Sequence, residues 1–158
     1  MKQTKWKPYI LWIGITEAVG ALSGWLTREG NRQYEQTAVK PKLSPPGIVF
    51  PIVWGILYAL MGYSAARISQ TPPSSVRSRG LNLYIVQLVV NFFWSLIFFN
   101  AQAYGFAFLW LVLLWILVLA MILTFRKVDP LAAWLQIPYL IWLTFAAYLS
   151  AGIWLLNG

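Results

Sequence analysis

The sequence predicts an all-α membrane protein, a single domain over residues 1–158 built as one bundle of five transmembrane helices. Three observations predict it. Hydrophobic residues make up 59% of the 158 residues and charged residues only 10%, against roughly 45–50% and about 25% in soluble domains. A chain this short cannot hide that much apolar surface in one core, because small domains bury the smallest fraction of their surface. Five apolar runs, 9–27, 47–66, 81–101, 104–125 and 131–156, match the ~20 residues that a helix needs to cross a bilayer. Disorder, which requires low hydrophobicity, is excluded.

The first run follows Lys2, Lys5 and Lys7. With Ala21-Leu22-Ser23 these resemble a cleaved secretory signal, but the run is long and Glu17 interrupts it, so it reads as a span. Glu17 is the only ionisable acid or base well inside a span. No Lys or Arg shares its depth, so it needs a proton or a hydrogen-bond donor. Such a residue is functional by default, the alternative being a satisfied packing contact. It shares a stripe with Gly14, Ala21 and Gly24, which marks a close-packing face. Gly20 and Gly24, at i and i+4, would let another backbone approach closely, from this chain or a second protomer.

The loop 28–46 is the only long one, and it holds Pro41, Pro45 and Pro46 among mixed charges. Long ordered loops are usually functional, and this one is expected to be a lid. The second span carries Pro51, Trp54, Tyr58 and Met61 on one face. Arg67 ends it, and Pro72-Pro73-Ser74-Ser75 marks a polar loop. In the third span Gln87, Asn91 and Ser95 form an i, i+4, i+8 polar stripe beside Trp94. Polar side chains in hydrocarbon face the bundle interior. They are either ligand contacts or interhelical hydrogen bonds contributing about 0.6 kcal/mol each. A short turn around Gln102 makes the third and fourth spans an antiparallel hairpin. Arg126 and Lys127 stop the fourth. Asp129-Pro130 then reads as an N-cap with Pro at the first helical position. The fifth span places Pro138, Trp142, Ala146 and Leu149 along one face.

Inventory excludes much chemistry. There is no Cys and no His, and the acids are Glu17, Glu29, Glu35 and Asp129. Disulfides, thiolate or imidazole metal sites and Ser-His-Asp or Cys-His catalysis are all missing a part, and no metal is expected. The net charge of +8 would suggest nucleic acid in a soluble protein. Here the basic residues flank apolar runs, so anionic headgroups of the lipid bilayer are the partner and no nucleic acid is expected. Of the twelve basic residues, eight fall on the side of the N-terminus: Lys2, Lys5, Lys7, Arg67, Arg77, Arg79, Arg126 and Lys127. Arg28, Arg32, Lys40 and Lys42 fall on the other. For a bacterial inner membrane, the expected location, the positive-inside rule then puts the N-terminus in the cytoplasm and the C-terminus outside.

Ten tryptophans are present. Trp6, Trp25, Trp110, Trp134 and Trp154 lie near span ends and fit an interfacial belt. Trp54, Trp94, Trp115 and Trp142 lie inside their spans. At 1.5 Å per residue, Trp54 and Trp94 sit roughly 10 Å, and Asn91 and Ala146 roughly 15 Å, from the side of the long loop. Three helices thus contribute to one layer beneath the loop. The expected result is a capped aromatic cavity, mostly uncharged, suited to a flat hydrophobic ligand with a few polar atoms.

Lys40-Pro41, Ser44-Pro45-Pro46-Gly47, Phe50, Val53-Trp54, Leu57-Tyr58 and Met61-Gly62 form an ordered set. Gln87-Leu88, Asn91, Trp94-Ser95 and Phe98-Phe99 continue it, and Pro138-Tyr139, Trp142, Phe145-Ala146 and Leu149 complete it. Together they resemble the signature of the tryptophan-rich sensory protein / translocator protein (TspO/MBR) family, which includes the peripheral benzodiazepine receptor. The resemblance implies a five-helix bundle, commonly a homodimer. It implies binding of tetrapyrroles such as protoporphyrin IX and haem, of sterols in some members, and of benzodiazepine-site ligands. The matching pocket positions are Tyr34, Trp54, Asn91, Trp142 and Ala146; Pro46, Tyr58 and Trp94 complete the expected ligand-binding set. Some bacterial members are said to degrade porphyrin in light, which makes Trp54 and Trp142 the candidates for catalysis. One departure is that no Lys or Arg follows closely after Tyr148, as a cholesterol-recognition pattern would need. The leading expectation is a binding and regulatory protein that takes porphyrin or haem as ligand and requires no cofactor. The alternatives are a light-dependent porphyrin-degrading enzyme and a transporter of tetrapyrrole or sterol-like cargo. Without His, bound haem would rest on stacking and on contacts to its carboxylates.

Overall fold

The structure is a computed structural model that describes residues 6–157. Lys2 and Lys5, two of the basic residues used to orient the chain, lie outside the described residues, as do the first residue and Gly158. Five helical stretches are long and apolar enough to cross a membrane. They are α1 (Trp6–Leu26), α3 (Val49–Ser69), α4 (Ser75–Ser95) with a π-helical turn (Leu96–Asn100), α5 (Tyr104–Val128), and α6 (Pro130–Leu135) followed by α7 (Ile137–Asn157). The seventh helix, α2 (Arg28–Thr37), lies in the first loop. No strand occurs among the described residues.

The spans outrun the apolar runs that reveal them. The third run starts at 81, whereas α4 starts at Ser75. Hydropathy marks where hydrocarbon begins; caps and propensity decide where a helix begins. Ser74 accepts from the Arg77 backbone N–H at 3.0 Å and so caps α4. Asp129 accepts from the Leu131 N–H at 3.2 Å ahead of Pro130, as its sequence predicts. The same carboxylate takes Arg67 Nε at 2.7 Å, tying the end of α3 to the start of α6.

Two irregularities shape the bundle. The fifth span, continuous in the hydropathy, breaks at Gln136. Pro138 has no N–H to donate and its ring disfavours a straight helix behind it. At the other end, the Ala101 N–H reaches back five residues to Leu96 O at 3.0 Å and closes the π-helical turn. Gln102, at φ 53°, then reverses the chain into α5.

Helix α1 packs on α3 and α4, α3 on α6, α4 on α5, and α5 on α7. The half away from the first loop is tight. A methyl group on Gly62 would lie 2.5 Å from Ile13 Cα. Tyr9 and Tyr63 meet at 4.8 Å between ring centroids, and Thr16 hydrogen-bonds Tyr84. Ser64 donates to Ala132 O at 2.8 Å. Toward the loop, α3 touches α7 only lightly, and a space opens.

Candidate functional site

That space is a cavity of about 480 Å³ beneath α2, walled by α1, α3, α7 and the end of α4. Trp54 stacks on Tyr58, with ring centroids 5.4 Å apart at 28°. It meets Trp142 edge to face at 6.4 Å and 89°, and Phe50 closes on Trp142 at 5.9 Å. From α4, Trp94 stacks on Phe98 at 5.0 Å. The π-helical turn adds a residue to the helical circuit, bringing both Phe98 and Phe99 to the wall. Tyr34 on α2 lies edge-on to both, at 5.3 and 5.5 Å. From α7 come Ala146, Leu149 and Ser150; from α1 come Glu17, Gly20, Ala21, Ser23 and Gly24, and Thr27 follows at the corner into α2.

The roof is fastened. The Val39 N–H donates to Asn157 Oδ1 at 3.0 Å, and Asn157 Nδ2 donates to Val39 O at 2.8 Å. Tyr148 donates to Lys42 O at 2.7 Å, and Asn100 Nδ2 to Leu26 O at 3.1 Å. Gly30 is set so closely on the π-helical turn that a methyl group there would lie 2.5 Å from Phe99 O. Lys40 donates to Glu35 O at 3.2 Å, neutralising the end of α2, and lies 5.0 Å over the Tyr34 ring. Burial first, and the nearby Glu35 carboxylate second, push the Tyr34 phenol up to about 12.

Of the expected ligand-binding residues, Tyr34, Trp54, Tyr58, Trp94, Trp142 and Ala146 line the cavity. Asn91 and Pro46 do not. Asn91 stands behind Tyr58, in a network that joins three spans. Tyr58 donates to Asn91 Oδ1 at 2.8 Å, Asn91 Nδ2 to the Tyr139 oxygen at 2.7 Å, and Tyr139 to Gln87 Oε1 at 2.7 Å. The polar stripe of the third span is therefore interhelical bonding at Gln87 and Asn91; Ser95 alone reaches the wall. Pro46 is exposed, and its carbonyl accepts from the Val49 N–H at the start of α3.

The small-residue stripe of α1 divides. Among the described residues, no atom of another helix lies within 4 Å of a methyl group added to Gly14 or Gly24, so no described helix packs there. Gly20 does pack, against the Tyr58 ring. Glu17, Ala21 and Gly24 face the cavity instead. Among the lid cations only Arg28 lines it. Arg28 lies 4.3 Å over the Trp25 ring, Arg32 pairs with Glu29 at 3.2 Å, and Lys40 is taken up by α2. Trp110 is not simply a belt residue, since its indole donates to Val90 O at 2.8 Å. Trp115 donates to Thr144 at 2.9 Å.

The hydropathy reading missed α2 and the polar lining it carries. The signal was there, because Ser23, Thr27, Asn31 and Tyr34 follow helical spacing straight through the span end. The indole N–H groups of Trp94 and Trp142 are buried with no acceptor. Both residues line the cavity, with the ring faces and edges rather than the buried N–H groups meeting the open space.

The TspO/MBR family profile matches residues 12–155. The chain is 37% identical to the tryptophan-rich protein TspO of Chlorobaculum tepidum over 148 residues, covering 93% of this chain and 94% of that one. It is 40% identical to protein CrtK of Rhodobacter capsulatus over 119 residues, 75% of this chain and 74% of that one. It is 35% identical to the translocator protein of Ovis aries over 153 residues, 93% and 90% of the two chains. Five spans, the aromatic cavity under the first loop and these similarities agree: the chain is an integral membrane protein that belongs to the TspO/MBR family.

Proposed function

We propose that the cavity binds a flat, largely apolar tetrapyrrole of the protoporphyrin IX or haem type, and that the protein senses or regulates through that binding. The observation that carries this is the aromatic lining, with Trp54 and Trp142 edge to face on one side and the stacked pair Trp94 and Phe98 on another. Aromatic walls stack on a flat ring, contributing about 0.5–1.5 kcal/mol per pair beyond buried area. The volume of about 480 Å³ falls within the roughly 300–1,000 Å³ of ligand cavities. Arg28 at the rim suits a ligand carboxylate. No other cofactor is needed, and haem would be held without an imidazole ligand, by stacking and by its carboxylates. The bonded layer of Tyr58, Asn91, Tyr139 and Gln87 forms a floor, which favours binding over passage of cargo through the bundle.

The test is titration of the purified protein with protoporphyrin IX, haem and a sterol, read by Trp quenching. Trp54→Phe and Trp142→Phe should each weaken porphyrin binding several-fold, on the order of 1 kcal/mol. Parent-like binding by both variants would remove the site from this cavity. Porphyrin breakdown in light is the second reading, favoured by two oxidisable indoles in contact with each other on the wall. Phe keeps the stacking and removes the indole redox chemistry. Loss of the porphyrin absorbance band under illumination should therefore fall more than affinity does. A homodimer in a bacterial inner membrane, with the lid outside, completes the reading. Arg67, Arg77, Arg79, Arg126 and Lys127, all at the end opposite the lid, support that orientation.

A further inference from the structure

The cavity has a second boundary besides its roof. Over the half away from the lid, α1 and α3 are in contact, with Gly62 against the Ile13 backbone and Gly20 against Tyr58. Nearer the lid, small residues of the same two helices border open space. Gly24 on α1 and Gly55 on α3 have no neighbouring atom within 4 Å of an added methyl group. Ala21, Gly24 and Pro51 are exposed and line the cavity, next to Leu22, Trp25 and Ile52, which are exposed without lining it. A residue that does both marks an opening. The opening is edged by small residues of both helices, and it lies within the membrane-spanning stretch of each. Trp94, whose indole N–H is buried without an acceptor, lies on the cavity it leads to.

The roof offers no comparable opening. It is held by the paired bonds of Val39 with Asn157, by Tyr148 on Lys42, and by Pro41 packed on Gly152. Opening it would break all of these together. Opening the slot between α1 and α3 breaks none.

We propose that the slot between α1 and α3 is a lateral portal to the lid-side leaflet, through which the cavity exchanges a membrane-dissolved ligand. This rests on the cavity being a binding site, and it names the source and shape of what is bound. The slot admits a flat molecule edge-on. Arg28, at the lid end of the α1 edge, holds the anionic substituents of such a molecule at the headgroup level while its apolar body passes between the helices. The ligand class is therefore a flat anionic amphiphile partitioned into lipid, rather than a water-borne solute entering under the lid.

The chain has no cysteine, which makes the roof simple to lock. A methyl group on Gly152 would lie 2.7 Å from Pro41 Cβ, so Pro41→Cys with Gly152→Cys needs roughly 1 Å of relaxation to reach disulfide geometry. In vesicles, the oxidised double variant should take up protoporphyrin IX as fast as the parent. Gly24→Phe and Gly55→Phe should plug the slot. A plug slows association and dissociation together, by about ten-fold or more, whereas damage to the site raises dissociation alone. A measurement without porphyrin separates the portal from the binding reading. In vesicles containing a phospholipid with a diazirine on its acyl chain, photolabelling should mark Ala21 and Gly55 as well as the exposed Leu22 and Ile56. If the parent binds no porphyrin but Ala21 and Gly55 are labelled, the porphyrin reading falls and the portal stands. Labelling of Leu22 and Ile56 without Ala21 and Gly55 overturns the portal. So does slower uptake in the locked-roof variant with parent rates in the plugged ones.

Discussion

Single side chains in the middle of the bundle do structural work that their sequence neighbourhood hides. Asn91 lies among aromatics and looks like a ligand contact, yet both of its amide groups are engaged by tyrosines of other helices. Asn91→Leu would leave the Tyr58 hydroxyl without its acceptor inside hydrocarbon. Unfolding in mixed detergent should show a loss on the order of 1–3 kcal/mol, with porphyrin affinity changed less than by Trp54→Phe. Tyr34 gives a pH signature. Its phenol titrates near 10 when unfolded and at about 12 when folded, so the folded form holds its proton longer. The stability that Tyr34 contributes is complete below pH 10 and is lost as pH rises toward 12. Tyr34→Phe should remove that part of the alkaline loss, measured as lid protection in hydrogen exchange between those pH values. Comparison of Tyr34→Phe with the parent isolates the phenol. The side chains legible in the sequence were those whose type and depth both spoke, Trp54, Trp142 and Trp94. Asn91 and Pro46 do not line the cavity, because polarity and motif say that a residue matters, not which way it faces.

Whole elements were legible where hydropathy governs them and illegible where geometry does. Five spans are written in apolar runs, and the Asp129-Pro130 start of α6 in its capping chemistry. Helix α2 is polar apart from its buried Gly30 and Tyr34, so an apolar-run reading passes over it. The π-helical turn leaves no compositional mark, and it is what brings Phe98 and Phe99 together on the wall. The glycines of α1 and α3 separate contact from opening. Gly62→Leu must push into the Ile13 backbone, and overpacking of this kind costs about 1–3 kcal/mol. Gly24→Leu meets no atom of this chain and should leave thermal stability nearly unchanged. A large loss from Gly24→Leu together with loss of crosslinked dimer would show that a second protomer occupies that face.

For the molecule as a whole, the sequence sets topology more firmly than assembly. The cations flanking the spans cluster at the end away from the lid, and a reporter fused after Gly158 should be active only outside the cytoplasm. Cytoplasmic activity would invert the orientation and move the lid inside. The bond between Val39 and Asn157 also sets an order of events in biosynthesis. Its partners are 118 positions apart, so the residue that fixes the roof leaves the ribosome only after every span has been made. Through insertion of the second, third and fourth spans the roof segment waits without its anchor, and the chamber beneath it has no α7 wall. A nascent chain stalled ahead of α7 therefore exposes an unfinished aromatic surface to lipid. Any ligand that depends on the closed chamber can engage only a chain in which α7 is already in place.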